Sequence, residues 1–111
     1  MIWHITSPAD WEKAQNSGEY RADSLLSEGF IHCSTTEQLA ATANRFYAGR
    51  TDLIALVIDD SKVKAPIRYE DLNAGDLFPH IYGPLNLDAV VMVIAYVPDH
   101  KGRFVTPVID L

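Results

Sequence analysis

Apolar residues fall in short blocks along the chain, and the spacing inside each block predicts its element. Ile2-Trp3-His4-Ile5-Thr6 is a β-type run. Ser7-Pro8-Ala9-Asp10 then predicts a helix start, with Ser7 as cap, Pro8 at the first helical position and Asp10 at the positive end of the helix dipole. Trp11 and Ala14 share a face of that helix, and Gly18 stops it. A polar segment containing Ser24 leads to a second strand over Phe30–Ser34. Thr35-Thr36-Glu37-Gln38 has capping-box spacing, and Leu39, Ala43, Phe46 and Tyr47 recur at helical period as far as Gly49. Leu53–Ile58 is continuously apolar and predicts a buried strand.

Asp59–Pro66 reads as a turn-rich loop, Ile67–Asp71 as a short strand and Asn73-Ala74-Gly75-Asp76 as a turn. Phe78–Gly83, interrupted by Pro79 and followed by Pro84, predicts an edge strand or an ordered loop. Ala89–Val97 predicts a long strand, and Phe104–Val108 is expected to pair with it across the turn Pro98–Gly102. Two main helices among six or seven strands, with no repeat or linker, predict one α+β domain over residues 1–111.

A chain of 111 residues, 48% of them hydrophobic, has enough material for a core without metal or disulfide support. The net charge of −6 changes the picture of partners. Gripping phosphate backbones or anionic lipid needs clustered Lys and Arg, and here the basic residues are scattered, so neither nucleic acid nor a membrane surface is expected. The longest apolar run, Ala89–Val97, is about half of what a bilayer-spanning helix needs. A single cysteine, Cys33, forbids an intramolecular disulfide, and no signal-peptide pattern opens the chain. These point to the cytoplasm. Nothing in the sequence sets the oligomeric state.

Candidate chemistry gathers on histidines. His4-Ile5-Thr6, His32-Cys33-Ser34 and His80-Ile81-Tyr82 each place a hydroxyl two residues after a histidine. Residues two apart on a strand share a face, so each segment is expected to present an imidazole and a hydroxyl together. Ile2, Phe30 and Phe78 precede them on the same faces as an apolar floor. One histidine in an apolar strand is ordinarily a core residue satisfied by a hydrogen bond. Burying three is expensive, so a shared cleft is the cheaper arrangement.

Glu70, on the same strand face as Arg68, is the acidic candidate, and Ser24 and Gln38 are further polar ones. Cys33 alternates away from His32 and is expected to be a buried apolar residue. His100 lies in a polar turn and reads as surface. Histidine and glutamate in one cleft suit general acid–base work or the orientation of a sugar hydroxyl. No Gly-rich phosphate cradle, no serine elbow and no metal-ligand spacing is present, so no metal is expected.

The phrases Gly29-Phe30-Ile31-His32-Cys33-Ser34 and Phe78-Pro79-His80-Ile81-Tyr82-Gly83-Pro84-Leu85, after Trp3-His4-Ile5-Thr6, resemble the uncharacterised bacterial family called domain of unknown function 952. The resemblance implies an ADP-ribosyltransferase-like fold, a split antiparallel β structure with peripheral helices. Trp3-His4-Ile5-Thr6 further resembles the strand of NAD-dependent ADP-ribosyltransferases that carries His-Gly-Thr, with Ile5 where that motif has glycine. His4 would then orient a ribose hydroxyl, His32 would lie where those enzymes often have tyrosine, and Glu70 would supply the carboxylate facing a cationic ribose. His80 and Tyr82 have no counterpart there. The resemblance thus implies a small-molecule ligand, with NAD as a substrate and no resident cofactor. His4, His32 and Glu70 would be catalytic, and Thr6, Ser24, Ser34, His80 and Tyr82 would bind the ligand. Two other readings stay open. One is a binding module without chemistry. The other resembles the two-histidine phosphodiesterases, with His4-Ile5-Thr6 and His32-Cys33-Ser34 as its paired motifs.

Overall fold

The computed structural model describes residues 1–71 and 75–109. The opening run forms β1 (Ile2–Thr6), followed by α1 (Pro8–Ser17). The Ser7 hydroxyl accepts from the Asp10 N–H at 3.1 Å, and Gly18, at φ 92, ends α1 in the left-handed conformation that glycine takes most cheaply. Next come β2 (Glu19–Tyr20), α2 (Asp23–Ser27), β3 (Ile31–His32), β4 (Ser34–Thr35) and α3 (Thr36–Phe46). The remaining strands are β5 (Ile54–Ile58), β6 (Ile67–Glu70), β7 (Phe78–Ile81), β8 (Leu85–Asn86) and β9 (Val90–Ala95).

The strands make a larger sheet in the order β4-β1-β5-β9, a smaller one in the order β3-β7-β6, and a two-stranded pair of β2 with β8. Every pairing among the described residues is antiparallel. The α+β architecture is therefore as expected, with a third helix, α2, inside the segment that had read only as polar. Its five residues bury no side chain, so no apolar period announces it.

Three further expectations are corrected. The predicted strand Phe30–Ser34 is two: the chain pairs with β7 through His32, leaves at Cys33, and pairs with β1 from Ser34 onward. Phe104–Val108 is not a strand, because α3 and Tyr96 take up its backbone groups. Asn44 receives the Phe104 N–H at 2.8 Å and donates to the Phe104 carbonyl at 2.9 Å, and the Tyr96 hydroxyl donates to the Val105 carbonyl. Finally, β7 lies at the centre of its sheet despite Pro79. The Pro79 carbonyl accepts from Cys33 N–H just past the end of β3, so the missing N–H falls where the neighbouring strand has already stopped. The turn expected at Asn73-Ala74-Gly75-Asp76 lies partly outside the described residues.

Two apolar clusters flank the larger sheet. Ile2, Leu56 and Ile58 face Ile31 and Ile81 of the smaller sheet, with Tyr20 and Leu85 from the β2–β8 pair. On the other side Trp3, Ile5, Ala55 and Val57 pack on Leu39 and Ala43 of α3, with Tyr96 and Phe104. Both faces of β1 and β5 are thus covered, which explains the unbroken apolar run of β5. No helix among the described residues is long and apolar enough to cross a membrane.

Candidate functional site

Strand alternation sorts the smaller sheet into two unlike faces. Ile31, Ile67 and Ile81 turn toward the first apolar cluster. The register pairs His32 with His80, Arg68 with His80 and Glu70 with Phe78, so the opposite face carries His32, His80, Arg68, Glu70 and Phe78 together. Phe30 and Tyr82, just outside the strands, complete it: the Phe30 ring lies 4.1 Å from His80 in a stacked arrangement and 5.2 Å from Tyr82.

Glu70 is the centre of that face. Its carboxylate accepts from His80 Nδ1 at 3.0 Å and from the Tyr82 hydroxyl in a short hydrogen bond. Donation by Tyr82 and then by His80 holds the carboxyl below its ordinary value, so Glu70 is ionised at neutral pH. The same contact raises the Tyr82 hydroxyl, which stays protonated. The Arg68 guanidinium sits 4.9 Å above the Tyr82 ring. Glu70 is 35% exposed, whereas the His80 side chain is 1% exposed and its Nε2 has no hydrogen-bond partner among the described residues. Leaving such a nitrogen unmet in the interior costs about 1–3 kcal/mol.

His32 stands beside this pair with ring centroids 5.4 Å apart and is 45% exposed. Its Nε2 donates to Glu28 at 2.6 Å. Each of the two adjacent imidazoles is therefore oriented by its own carboxylate, the one at the surface and the other beneath it.

His4 does not join them. Its Nδ1 lies 2.5 Å from the His32 carbonyl and its Nε2 2.7 Å from the Tyr20 hydroxyl, which in turn lies 2.9 Å from Thr6 Oγ1. A carbonyl only accepts, so Nδ1 carries the proton and Nε2 of the neutral ring accepts from Tyr20. The Tyr20 proton is thereby committed to the ring, and Thr6 serves as the donor to the Tyr20 oxygen. Burial pushes His4 down to about 4 and Tyr20 up to about 12, so both are uncharged at neutral pH. The expected cleft shared by three histidines is corrected to two, with His4 sealed beneath the backbone of His32.

The hydroxyls divide likewise. Tyr82 and His80 meet on Glu70, and Thr6 and His4 meet on Tyr20, as two-residue alternation implies. Ser34 leaves His32, because the chain changes sheets between them; its hydroxyl points to Thr42 of α3 at 3.5 Å. Ser24 donates to the Phe30 carbonyl at 2.7 Å and fixes the approach to β3. Gln38 closes the start of α3 by accepting from Thr35 N–H and donates to the Leu77 carbonyl. Cys33 is buried, and desolvation raises its thiol far above the ordinary range, so it is no nucleophile. With His4 sealed and Ser34 turned away, the paired motifs of a two-histidine phosphodiesterase do not face one another. Glu28, the partner of His32, and Tyr20, the buried partner of His4, are residues that sequence reasoning missed. Tyr20 lies in a two-residue strand too short to show a period, while Glu28, four positions before His32, left only that spacing as a signal.

A family model described as Protein of unknown function (DUF952) matches residues 5–93. Protein CC0527 from Caulobacter crescentus has a similar structure. Its crystal form is 30% identical with a TM-score of 0.84, over 94% of this chain and 92% of that one. Its solution structure gives 0.80 over 92% and 89%. Among curated proteins none matches.

Proposed function

This chain belongs to the family described as Protein of unknown function (DUF952), and on that premise we propose that it binds a ribosyl-bearing nucleotide, of the NAD or ADP-ribose kind, on the polar face of the smaller sheet and cleaves or transfers the ribosyl group. The observation that carries this reading is Glu70, an ionised, partly exposed carboxylate fixed by His80 and Tyr82. A fixed anion is what a ribosyl carbon needs as it becomes cationic, since preorganised charge stabilises a transition state at little reorganisation cost. Two separate antiparallel sheets are also compatible with an ADP-ribosyltransferase-like fold.

The parts divide as follows. Arg68 faces the ligand phosphates, Phe30 and His32 flank a flat base, and Glu70 faces the ribose. The bond from the ribosyl carbon to the base breaks with its electron pair going to the base. Water or an acceptor hydroxyl forms the new bond and releases its proton to solvent. His80 and Tyr82 act as positioning residues by holding Glu70. His4, with both nitrogens engaged, positions the His32 backbone and does not touch ribose. A cytoplasmic setting, where NAD is abundant, agrees with this reading.

Incubation with NAD, followed by chromatography for free nicotinamide, tests it. Glu70→Gln keeps the shape and removes the charge, so release should fall on the order of 100-fold or more, with ADP-ribose affinity less affected. Release unchanged in Glu70→Gln, or no binding of ADP-ribose at all, defeats the proposal. The full burial of His80 favours one other reading, a binding module without turnover. Calorimetry showing ADP-ribose bound, with no nicotinamide released over hours, would establish that instead.

A further inference from the structure

One polar atom on this face is left over. Resting on the ligand reading above, we propose that His80 Nε2, which meets no partner among the described residues, accepts a hydrogen bond from an uncharged donor of the ligand, a hydroxyl or an amide N–H, that enters on the side where His32 stands.

The chemistry of the donor follows from the other side of the ring. Glu70 is ionised and can only accept, so the proton sits on His80 Nδ1. A second ring proton would bury a charged N–H with no acceptor, which costs more than an unmet lone pair, so Nε2 stands as an acceptor. A phosphate or carboxylate oxygen at this point would set acceptor against acceptor, whereas a sugar hydroxyl or a carboxamide N–H fits.

Position follows from ring geometry. The two nitrogens of an imidazole point to nearly opposite sides, and Nδ1 faces Glu70 on β6. Nε2 therefore faces away from β6, toward the β3 side where Phe30 and His32 stand. Phe30 covers the ring face at 4.1 Å and also meets His32 at 4.8 Å.

Phe30 is buried and stacks on the face of the imidazole, not in the ring plane where the Nε2 lone pair lies. His32 is the half-exposed neighbour, held by an exposed contact with Glu28, a kind worth little. His80, in contrast, is clamped by Glu70 and lies in a strand paired on both sides. A fixed acceptor with no partner among the described residues, beside a half-exposed imidazole, is the arrangement of a ligand contact that forms on entry. A core histidine would have had its second nitrogen met.

Nitrogen-15 histidine spectra of the full chain test this, with ADP-ribose, D-ribose and nicotinamide added separately as probes. The free protein should show His80 Nε2 as an unbonded acceptor. At least one probe should move it to a bonded position. Three results overturn the inference. In one, no probe moves Nε2; in another, Nε2 is already bonded to a trapped water that no probe displaces. In the third, ADP-ribose perturbs Arg68 and Tyr82 while Nε2 stays put, and there the nucleotide reading survives alone. Conversely, D-ribose or nicotinamide moving Nε2 where ADP-ribose fails to bind supports this contact and defeats the nucleotide reading.

Discussion

His4, Tyr20 and Thr6 form a sealed chain of hydrogen bonds with one direction, ending on the His32 carbonyl. Its proton arithmetic sets a pH dependence. The unfolded chain binds a proton at His4 near 6.5 and the folded one only near 4, so between those values folding must expel it. Stability is then full above 6.5 and falls as the pH drops toward 4, by up to about 3 kcal/mol. His4→Gln keeps a donor for the carbonyl and an acceptor for Tyr20 but does not titrate. Urea unfolding at pH 7.5 and pH 5 should show a decline in the native chain of about 2 kcal/mol that the Gln variant lacks. Equal declines would show that His4 does not carry the effect. Sequence made all three histidines visible as candidates but could not separate them. His4 and His80 sit in similar local patterns, and only long-range partners, Tyr20 for one and Glu70 for the other, distinguish a sealed ring from one with a free nitrogen.

Among the elements, the long periodic ones were legible and the short ones were not. β1, α1, α3, β5 and β9 each carry enough apolar period or capping chemistry to announce themselves. α2, β2 and β8 span five, two and two residues and bury little or nothing in a repeating way. Their existence follows from what they pack on, which no local window contains. The break of Phe30–Ser34 into β3 and β4 was hidden for the same reason. One element boundary gives a sharp prediction. Gly83, which follows Tyr82 at φ +156, would place a Cβ 2.9 Å from the Ala65 Cβ, a short side chain with nowhere to go. Gly83→Ala should therefore cost about 1–3 kcal/mol in chemical denaturation and shift the Tyr82 resonances. A variant as stable as the parent, with Tyr82 unmoved, would show that the backbone there yields.

Across the whole molecule, the larger sheet is the shared wall of both apolar clusters, and the candidate site lies on the outer face of the smaller sheet. The apolar clusters that hold the fold and the candidate site thus lie on different surfaces. Leu56, fully buried on β5 between the two sheets, shows this division. Leu56→Ala should cost about 2–5 kcal/mol, a large share of what holds a domain of this size together. Val93 on the edge strand β9 is 40% exposed, and Val93→Ala should cost under about 1 kcal/mol. Urea midpoints for the two variants check the contrast, and similar losses would mean that β9 is covered in solution.

The corner at Cys33 sets a phase for the chain on either side. Up to His32 the alternation of side chains is locked to the smaller sheet, and from Ser34 it is locked to Trp3 on the larger one. One residue added or deleted at that corner would invert the sequence on one side of it, turning either the His32 imidazole inward or the packing around Trp3 outward. The hinge between the two walls is consequently a fixed-length tether, and variation in chain length belongs to stretches such as the one between α3 and β5, where no such parity is at stake.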